Sequence, residues 1–216
     1  MTILKYIPFS YHWIVLRVIG SDVHTILDLG CGDGTFMRDL CGGKNWEITG
    51  IELHYPSLVR AEETGVYEKL LKGDVTRLPK EILNKKYDVV FSSQTLEHIN
   101  KKEGLKALKN WEKLAVRKII VTTPSGFIDY DPIEKKEEDN KLQRHKSGWS
   151  IDELRNLGFR VIGQGANFIY RKEGLARKYP NLLPLWMLIS YIFSPFIIFY
   201  PRHAIYLVAN KKVQKY

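Results

Sequence analysis

The run from Ile26 to Phe36, Ile-Leu-Asp-Leu-Gly-Cys-Gly-Asp-Gly-Thr-Phe, constrains this chain more than any other stretch. Ile26, Leu27 and Leu29 supply the apolar run of a buried strand. Gly30, Gly32 and Gly34 follow at alternate positions, where a missing Cβ lets the backbone turn tightly and lets a ligand come into contact. The helix that starts beyond such a turn offers free N–H groups and the positive end of its dipole. Strand, glycine turn and helix start together suit a nucleotide-like cofactor.

Two cofactor classes use turns of this kind. A nicotinamide or flavin site wants G-x-G-x-x-G, and the third glycine of that pattern falls here on Thr35. The chain instead reads G-x-G-x-G, with Asp28 two positions before Gly30 and Cys31 as a small residue inside the turn. This variant resembles motif I of the Rossmann-like S-adenosylmethionine-dependent methyltransferases. Later motifs continue the resemblance in order over roughly residues 25–170 and again at 203–210. Gly50-Ile51-Glu52 closes a second apolar stretch, and an acid there suits a bidentate hydrogen bond to two ribose hydroxyls. Leu70 to Val75, Leu-Leu-Lys-Gly-Asp-Val, followed by Leu78-Pro79, is similar to the family's G-D-x-x-x-L-P segment. Tyr87 to Ile99, with Gln94 and Leu96-Glu97-His98, resembles the fourth-strand motif. Lys118 to Ser125 reads as the fifth strand.

The resemblance implies S-adenosylmethionine as cofactor. It places Asp28, Gly30, Cys31, Gly32 and Gly34 at the cofactor, with Glu52 and Leu53 at its ribose and Gln94 beside it. It also gives Asp74 the adenine amino group and the Val75 N–H a ring nitrogen. Asp74 separates the two cofactor classes, because a nicotinamide enzyme has no strong need of it, whereas Glu52 suits both.

The implied fold is α/β: a doubly wound, seven-stranded, mostly parallel sheet with an antiparallel last strand, helices on both faces, and an apolar helical insertion before the last strand. Alternating patterns predict strands over 25–29, 47–52, 67–71, 87–91, 118–123, 158–164 and 203–209. Helices are predicted over 34–41, 56–64, 101–115 and 150–156. Ser150 and Glu153 form a capping box at the start of the last of these. In such sheets ligands bind beyond the carboxyl ends of the strands, which is where the motifs converge. At 216 residues, 44% hydrophobic and 26% charged, the chain suits one globular domain. Its parts are an N-terminal helical segment (1–24), a cofactor-binding core (25–170), an apolar and basic insertion (171–202) and a last strand with tail (203–216). Cys31 and Cys41 cannot make a disulfide framework and no Cys/His cluster has zinc spacing, so a reducing cytoplasmic setting is expected.

The insertion is the chain's most individual feature. Leu182–Tyr200 holds no charged residue and is long enough to span a bilayer. A single crossing would separate two strands that must pair, and Pro184 and Pro195 interrupt the run. Three readings remain: a cap buried on the sheet or lining the acceptor pocket, a membrane contact that does not cross, and a homodimer interface. Lys plus Arg number 33 against 24 Asp plus Glu, a net charge of +9. Arg171, Lys172, Arg177 and Lys178 precede the run, while Arg202, Lys211, Lys212 and Lys215 follow it. Basic flanks with Trp186, Tyr191 and Tyr200 favour an anionic headgroup layer, hence a peripheral place on the inner face of a membrane. Nucleic acid is disfavoured, since the basic residues flank an apolar face and no RNA module is recognisable.

Residues 3–19 lack the basic start and cleavage site of a signal peptide. Tyr11–Ile19 is expected as a helix packed over the cofactor, a position common in the family. The densely charged 129–146 follows the fifth strand on the active-site edge, where it can order over an acceptor. A proton acceptor is needed only if the methyl acceptor must lose a proton. The candidates are His98, after the fourth strand, and His145. Some quinone O-methyltransferases carry Glu-x-x-Glu-His here and bind a metal. This chain has Gln94 at the first acid, a poorer ligand for a hard cation, so no metal is expected. The reading is methyl transfer from S-adenosylmethionine to a small-molecule or lipid-linked acceptor. Its alternatives are a non-catalytic S-adenosylmethionine-binding regulatory or scaffold module and, less favoured, an NAD-dependent oxidoreductase.

Overall fold

The computed structural model describes residues 3–129 and 141–213. Its strands are β1 (Thr25–Leu29), β2 (Glu47–Glu52), β3 (Lys69–Lys72), β4 (Tyr87–Ser93), β5 (Ala115–Pro124), β6 (Arg160–Ala166) and β7 (Ala204–Lys212). Its helices are α1 (Tyr11–Ile19), α2 (Thr35–Cys41), α3 (Tyr55–Glu63), α4 (Lys80–Leu83), α5 (Lys101–Glu112), α6 (Ile151–Asn156), α7 (Asn167–Tyr170), α8 (Leu175–Lys178) and α9 (Leu183–Phe199). The strands form a seven-stranded sheet in the order β3-β2-β1-β4-β5-β7-β6. β7 alone runs against its neighbours, pairing antiparallel with both β5 and β6.

A parallel sheet of this kind is covered on both faces, so successive residues of its strands enter two cores. One core holds Leu27 and Leu29 of β1, Val90 of β4, Ile119 and Val121 of β5, and Leu207 of β7, packed with Trp111 and Trp149. The other holds Ile26, Val89, Phe91, Ile120 and Val208, packed with Ile14, Val15 and Ile19 of α1 and with Met37 and Leu40 of α2. The single polar interruption in β1, Asp28, lies on the second face and at the sheet's carboxyl edge.

Helix signals in the sequence are realised at atomic detail. The Ser150 side chain accepts from the Glu153 N–H at 3.1 Å, and Glu153 accepts from the Ser150 N–H at 2.8 Å, closing the capping box of α6. Ser10 caps α1 by accepting from the Trp13 N–H at 3.1 Å. Helix α5 stops at Glu112 rather than 115, because Ala115 already pairs with Tyr87 at the start of β5. Ala115-Val116-Arg117 continues a helical pattern by composition, and only the partner strand turns it into sheet.

α9 packs along β6. A Cβ at Gly163 would meet the Ile197 carbonyl at 2.4 Å and Pro201 Cα at 2.9 Å, so the helix rests directly on strand backbone there. Gly163→Val is expected to lower the free energy of unfolding by about 1–3 kcal/mol, the usual cost of overpacking a close contact. Urea denaturation measures it.

Candidate active site

The glycine turn is pinned from the side. The N–H groups of Gly30 and Cys31 both donate to the Ile51 carbonyl of β2, at 2.9 and 3.1 Å. Gly30 has φ +73° and a Cβ there would meet Thr95 at 2.4 Å, so this glycine serves the turn and its packing on the segment after β4. Gly34, also at φ +73°, faces Tyr67 and Ala61 and does not line the cleft. Gly32 alone of the three has open space where a Cβ would stand. Close approach of a ligand is therefore a property of Gly32, while Gly30 and Gly34 make the turn possible. The helix-start amide of Thr35 is taken by the Asp33 carboxylate at 3.0 Å.

Beyond the carboxyl ends of β1 to β4 lies a cleft of about 420 Å³, within the range of small-ligand sites. Asp28, Gly30, Cys31, Gly32, Glu52, Leu53, Asp74, Val75, Gln94 and His98 all line it. Glu52 is held by the Gly32 N–H at 2.9 Å and the His54 N–H at 2.8 Å, each on its own carboxylate oxygen. Asp74 turns one oxygen, Oδ1, back onto the Thr76 N–H and hydroxyl at 2.8 and 2.7 Å. Both carboxylates are thus oriented by local backbone, at the ends of paired neighbouring strands and on one wall of the cleft.

Asp28 is 3% exposed and accepts from the Tyr67 hydroxyl at 2.8 Å. Burial pushes its pKa up to about 7, against the lowering effect of the tyrosine bond. Burial, with the charges of Asp28 and Glu52 added, raises the Cys31 thiol well above its ordinary value, so it stays a thiol. On the other side of the cleft, the Tyr11 hydroxyl of α1 bonds Ser93 at 2.8 Å and Thr122 at 2.5 Å, and its ring lies 5.0 Å from Phe36. The N-terminal helix therefore packs beside the residues Phe36 and Ser93 that line the cleft.

His98 follows β4 in a 3-10 turn, Leu96–His98. Its Nδ1 faces the Arg144 carbonyl at 3.2 Å, so that nitrogen carries the hydrogen. Burial lowers its pKa to about 4, helped by His145 and Lys146 and opposed by backbone carbonyls, so the ring is a neutral imidazole above that pH. His145 does not line the cleft. It stands behind His98, rings 4.9 Å apart, and its Nδ1 meets the Ile128 carbonyl at 2.6 Å. Glu97, 2% exposed, accepts from the Thr123 hydroxyl at 3.1 Å, and burial raises its pKa to about 7. Its backbone carbonyl accepts from the N–H groups of Lys146 and Ser147 at 2.8 and 3.0 Å. That pair ties the segment 141–147 across the cleft, which Leu142, Gln143 and Lys146 line. The described end of the charged run thus lines the cleft; residues 130–140 lie outside the described residues.

Glu97, His98 and His145 each offer one potential ligand atom within 4.8 Å of the others. The expected absence of a metal rested on the amide at Gln94, and that amide also borders the cleft here. Asn100 and Glu103 line the site without any motif signal in the sequence, while Phe36 and Thr95 lie within the motif runs and Lys146 ends the charged run, none of the three singled out there as a site residue. Tyr67 is likewise unsignalled; it sits under the turn and becomes visible only through its bond to Asp28.

Residues 26–117 match the family described as methyltransferase domain. An uncharacterized methyltransferase of Schizosaccharomyces pombe (strain 972 / ATCC 24843) is 30% identical over 95 residues, 44% of this chain and 36% of that protein. The small RNA methyltransferase HEN1 superposes at a TM-score of 0.61 with 14% identity, covering 95% of this chain and 25% of that one. A SAM-dependent methyltransferase from Archaeoglobus fulgidus superposes at 0.56 with 18% identity, covering 94% and 95% of the two chains. The chain thus spans only about a third of the S. pombe relative's length and a quarter of HEN1. The two structures share the fold.

Asp28 and Glu97 hold their protons more tightly folded than unfolded. Stability from this source is present below the ordinary carboxyl pKa and is lost as pH rises to about 7. Between about pH 4 and 7 the protein should therefore lose on the order of 2 kcal/mol of stability per group. Denaturant titrations across that window should show the slope, and Asp28→Asn with Glu97→Gln should flatten it.

Proposed function

We propose that this chain, a Rossmann-like S-adenosylmethionine-dependent methyltransferase by family and fold, transfers a methyl group to a small-molecule or lipid-linked acceptor seated against His98 and the 141–147 segment. One observation carries the proposal. Glu52 and Asp74, at the ends of adjacent strands, share a cleft with the open backbone at Gly32, where a nucleoside's hydroxyls, amino group and chain can all find partners. The fit is chemical as well as steric: two oriented carboxylates suit a ribose diol and an exocyclic amine, and neither suits a phosphate. S-adenosylmethionine, when bound, supplies a methyl group already activated by a positive sulfur.

The protein's share of the work is alignment and a proton path. Asp74 and the Val75 N–H hold the adenine end, and Glu52 fixes the ribose. Gly32 and Leu53 form the floor, and Gln94 with Ser93 closes the far side. His98, neutral above a pH of about 4, accepts the proton of a hydroxyl or amine acceptor. His145 acts as a positioning residue behind it, holding the segment that carries Lys146.

Calorimetry with S-adenosylhomocysteine tests the cofactor part. Tight binding is expected, with no response to NAD; the reverse would overturn the assignment. Asp74→Ala should weaken that binding by about 1–3 kcal/mol and Glu52→Ala by at least as much, the cost of leaving a polar ligand group unpaired. Incubation with methyl-labelled S-adenosylmethionine and separate aqueous and lipid extracts tests turnover. Label in a product of either extract supports transfer, and binding without any labelled product favours a regulatory module. With an acceptor in hand, His98→Asn should lower kcat by about 10²-fold or more, with cofactor affinity unchanged.

A further inference from the structure

α9 is apolar all round. Its protein-facing side carries Trp186, Ile189, Ile197 and Ile198 against the cores, together with Ser190 and Ser194, 5% and 8% exposed. Ser190 accepts from the Ala166 N–H at 3.3 Å and Ser194 donates to the Ser190 carbonyl at 2.8 Å. Its solvent side carries Leu188, Ile192 and Phe199, at 55%, 63% and 73% exposure, flanked by Met187, Tyr191 and Phe196. Among the described residues, Pro180–Phe199 is long and apolar enough to cross a membrane by length and composition. It does not cross the fold's own logic: it lies along β6, between strands that pair with each other. A helix on water buries its apolar side and exposes its polar one. This one buries apolar residues and is apolar on its outward side as well, and apolar patches of this extent on a surface mark an interaction site.

Charge names the occupant. Glu173 is the last acidic residue of the chain. Arg171, Lys172, Arg177 and Lys178 stand exposed before α9, and Arg202 after it. A second copy laid on this face would bring basic flanks towards basic flanks, with no acidic residue on either side to offset them. An anionic lipid surface offers the opposite charge beside an apolar interior. Tyr179, Tyr191 and Tyr200, all exposed, add rings with polar tips, suited to the headgroup level. Lys211 and Lys212 do not belong to this arc: they pair across from the start of β5, at the opposite edge of the sheet, and Lys211 bonds Glu112 at 2.7 Å.

We propose that the outward face of α9 docks on an anionic bilayer, with the helix lying in the plane of the surface. Ser190 sits at Ala166, the carboxyl end of β6, so residues 183–189 overhang the same edge of the sheet on which the cleft opens. This inference stands apart from the methyl-donor reading, which the binding of S-adenosylhomocysteine tests independently.

The test is co-sedimentation of the full chain with vesicles. Wild type should bind phosphatidylglycerol–phosphatidylcholine vesicles, bind pure phosphatidylcholine less, and lose binding as salt rises. Leu188→Glu with Ile192→Glu should weaken binding about tenfold or more while melting as the wild type does. Arg177→Glu with Lys178→Glu, remote from any core, should remove the preference for anionic lipid. Wild type that ignores phosphatidylglycerol vesicles at low salt overturns the proposal. If it is then a dimer that the Leu188/Ile192 variant makes monomeric, the face joins two copies. If that variant unfolds instead, the helix is a structural cap.

Discussion

The position of β1 between β2 and β4 governs everything else in this protein. Parallel pairing on both sides fixes the level at which β1 ends, and the Ile51 carbonyl then captures the amides of Gly30 and Cys31. That capture converts a flexible glycine run into one fixed turn. Because β2, β3 and β4 end at the same level, Glu52, Asp74 and Gln94 arrive around the turn without any need for long side chains. A sheet buried on both faces leaves only its edges for ligands, and here the cleft lies at the carboxyl edge, with Glu52 and Asp74 oriented there by local backbone.

The second organising contact is Glu97. Its side chain is turned inward to Thr123, away from solvent, while its backbone carbonyl holds the 141–147 segment over the cleft. Ser147 extends the same anchor, donating to the Leu96 carbonyl and accepting from the Trp149 indole. This wall of the cleft is therefore attached to the core through the backbone of a buried acid, and His98 is carried on the same short turn.

Most of the fold was legible in the chain because the relevant signals are local. Alternation in β1, β4 and β5, the capping box at Ser150 and the glycine turn each depend on residues close in sequence. The extension of β5 back to Ala115 was not legible, since Ala-Val-Arg takes its conformation from Tyr87 on another strand. In the site, Glu52, Asp74 and His98 could be named because each follows a strand end. Tyr67, Thr95 and Lys146 could not, because what matters about them is a neighbour distant in sequence: Asp28, Gly30 and Glu97 respectively. The glycines show a subtler limit. Their spacing was readable, but which of them faces a ligand and which faces Tyr67 depends on packing alone. For Leu182–Tyr200 the sequence left open a cap, a lipid contact and a dimer face, and because the run is apolar throughout, which of its residues pack on β6 and which stay exposed depends on packing alone.

The place of β7 in the sheet has a temporal consequence. It lies between β5 and β6, so β6 and the helices attached to it hold to the rest of the sheet through a strand made after them. On a ribosome, residues 183–199 emerge before residues 204–212 and have no docked β6 to rest on. A hydrophobic helix without its support seeks the nearest apolar phase, and unpaired strand edges are what nascent chains must shield. The last strand thus acts as a clasp that closes late.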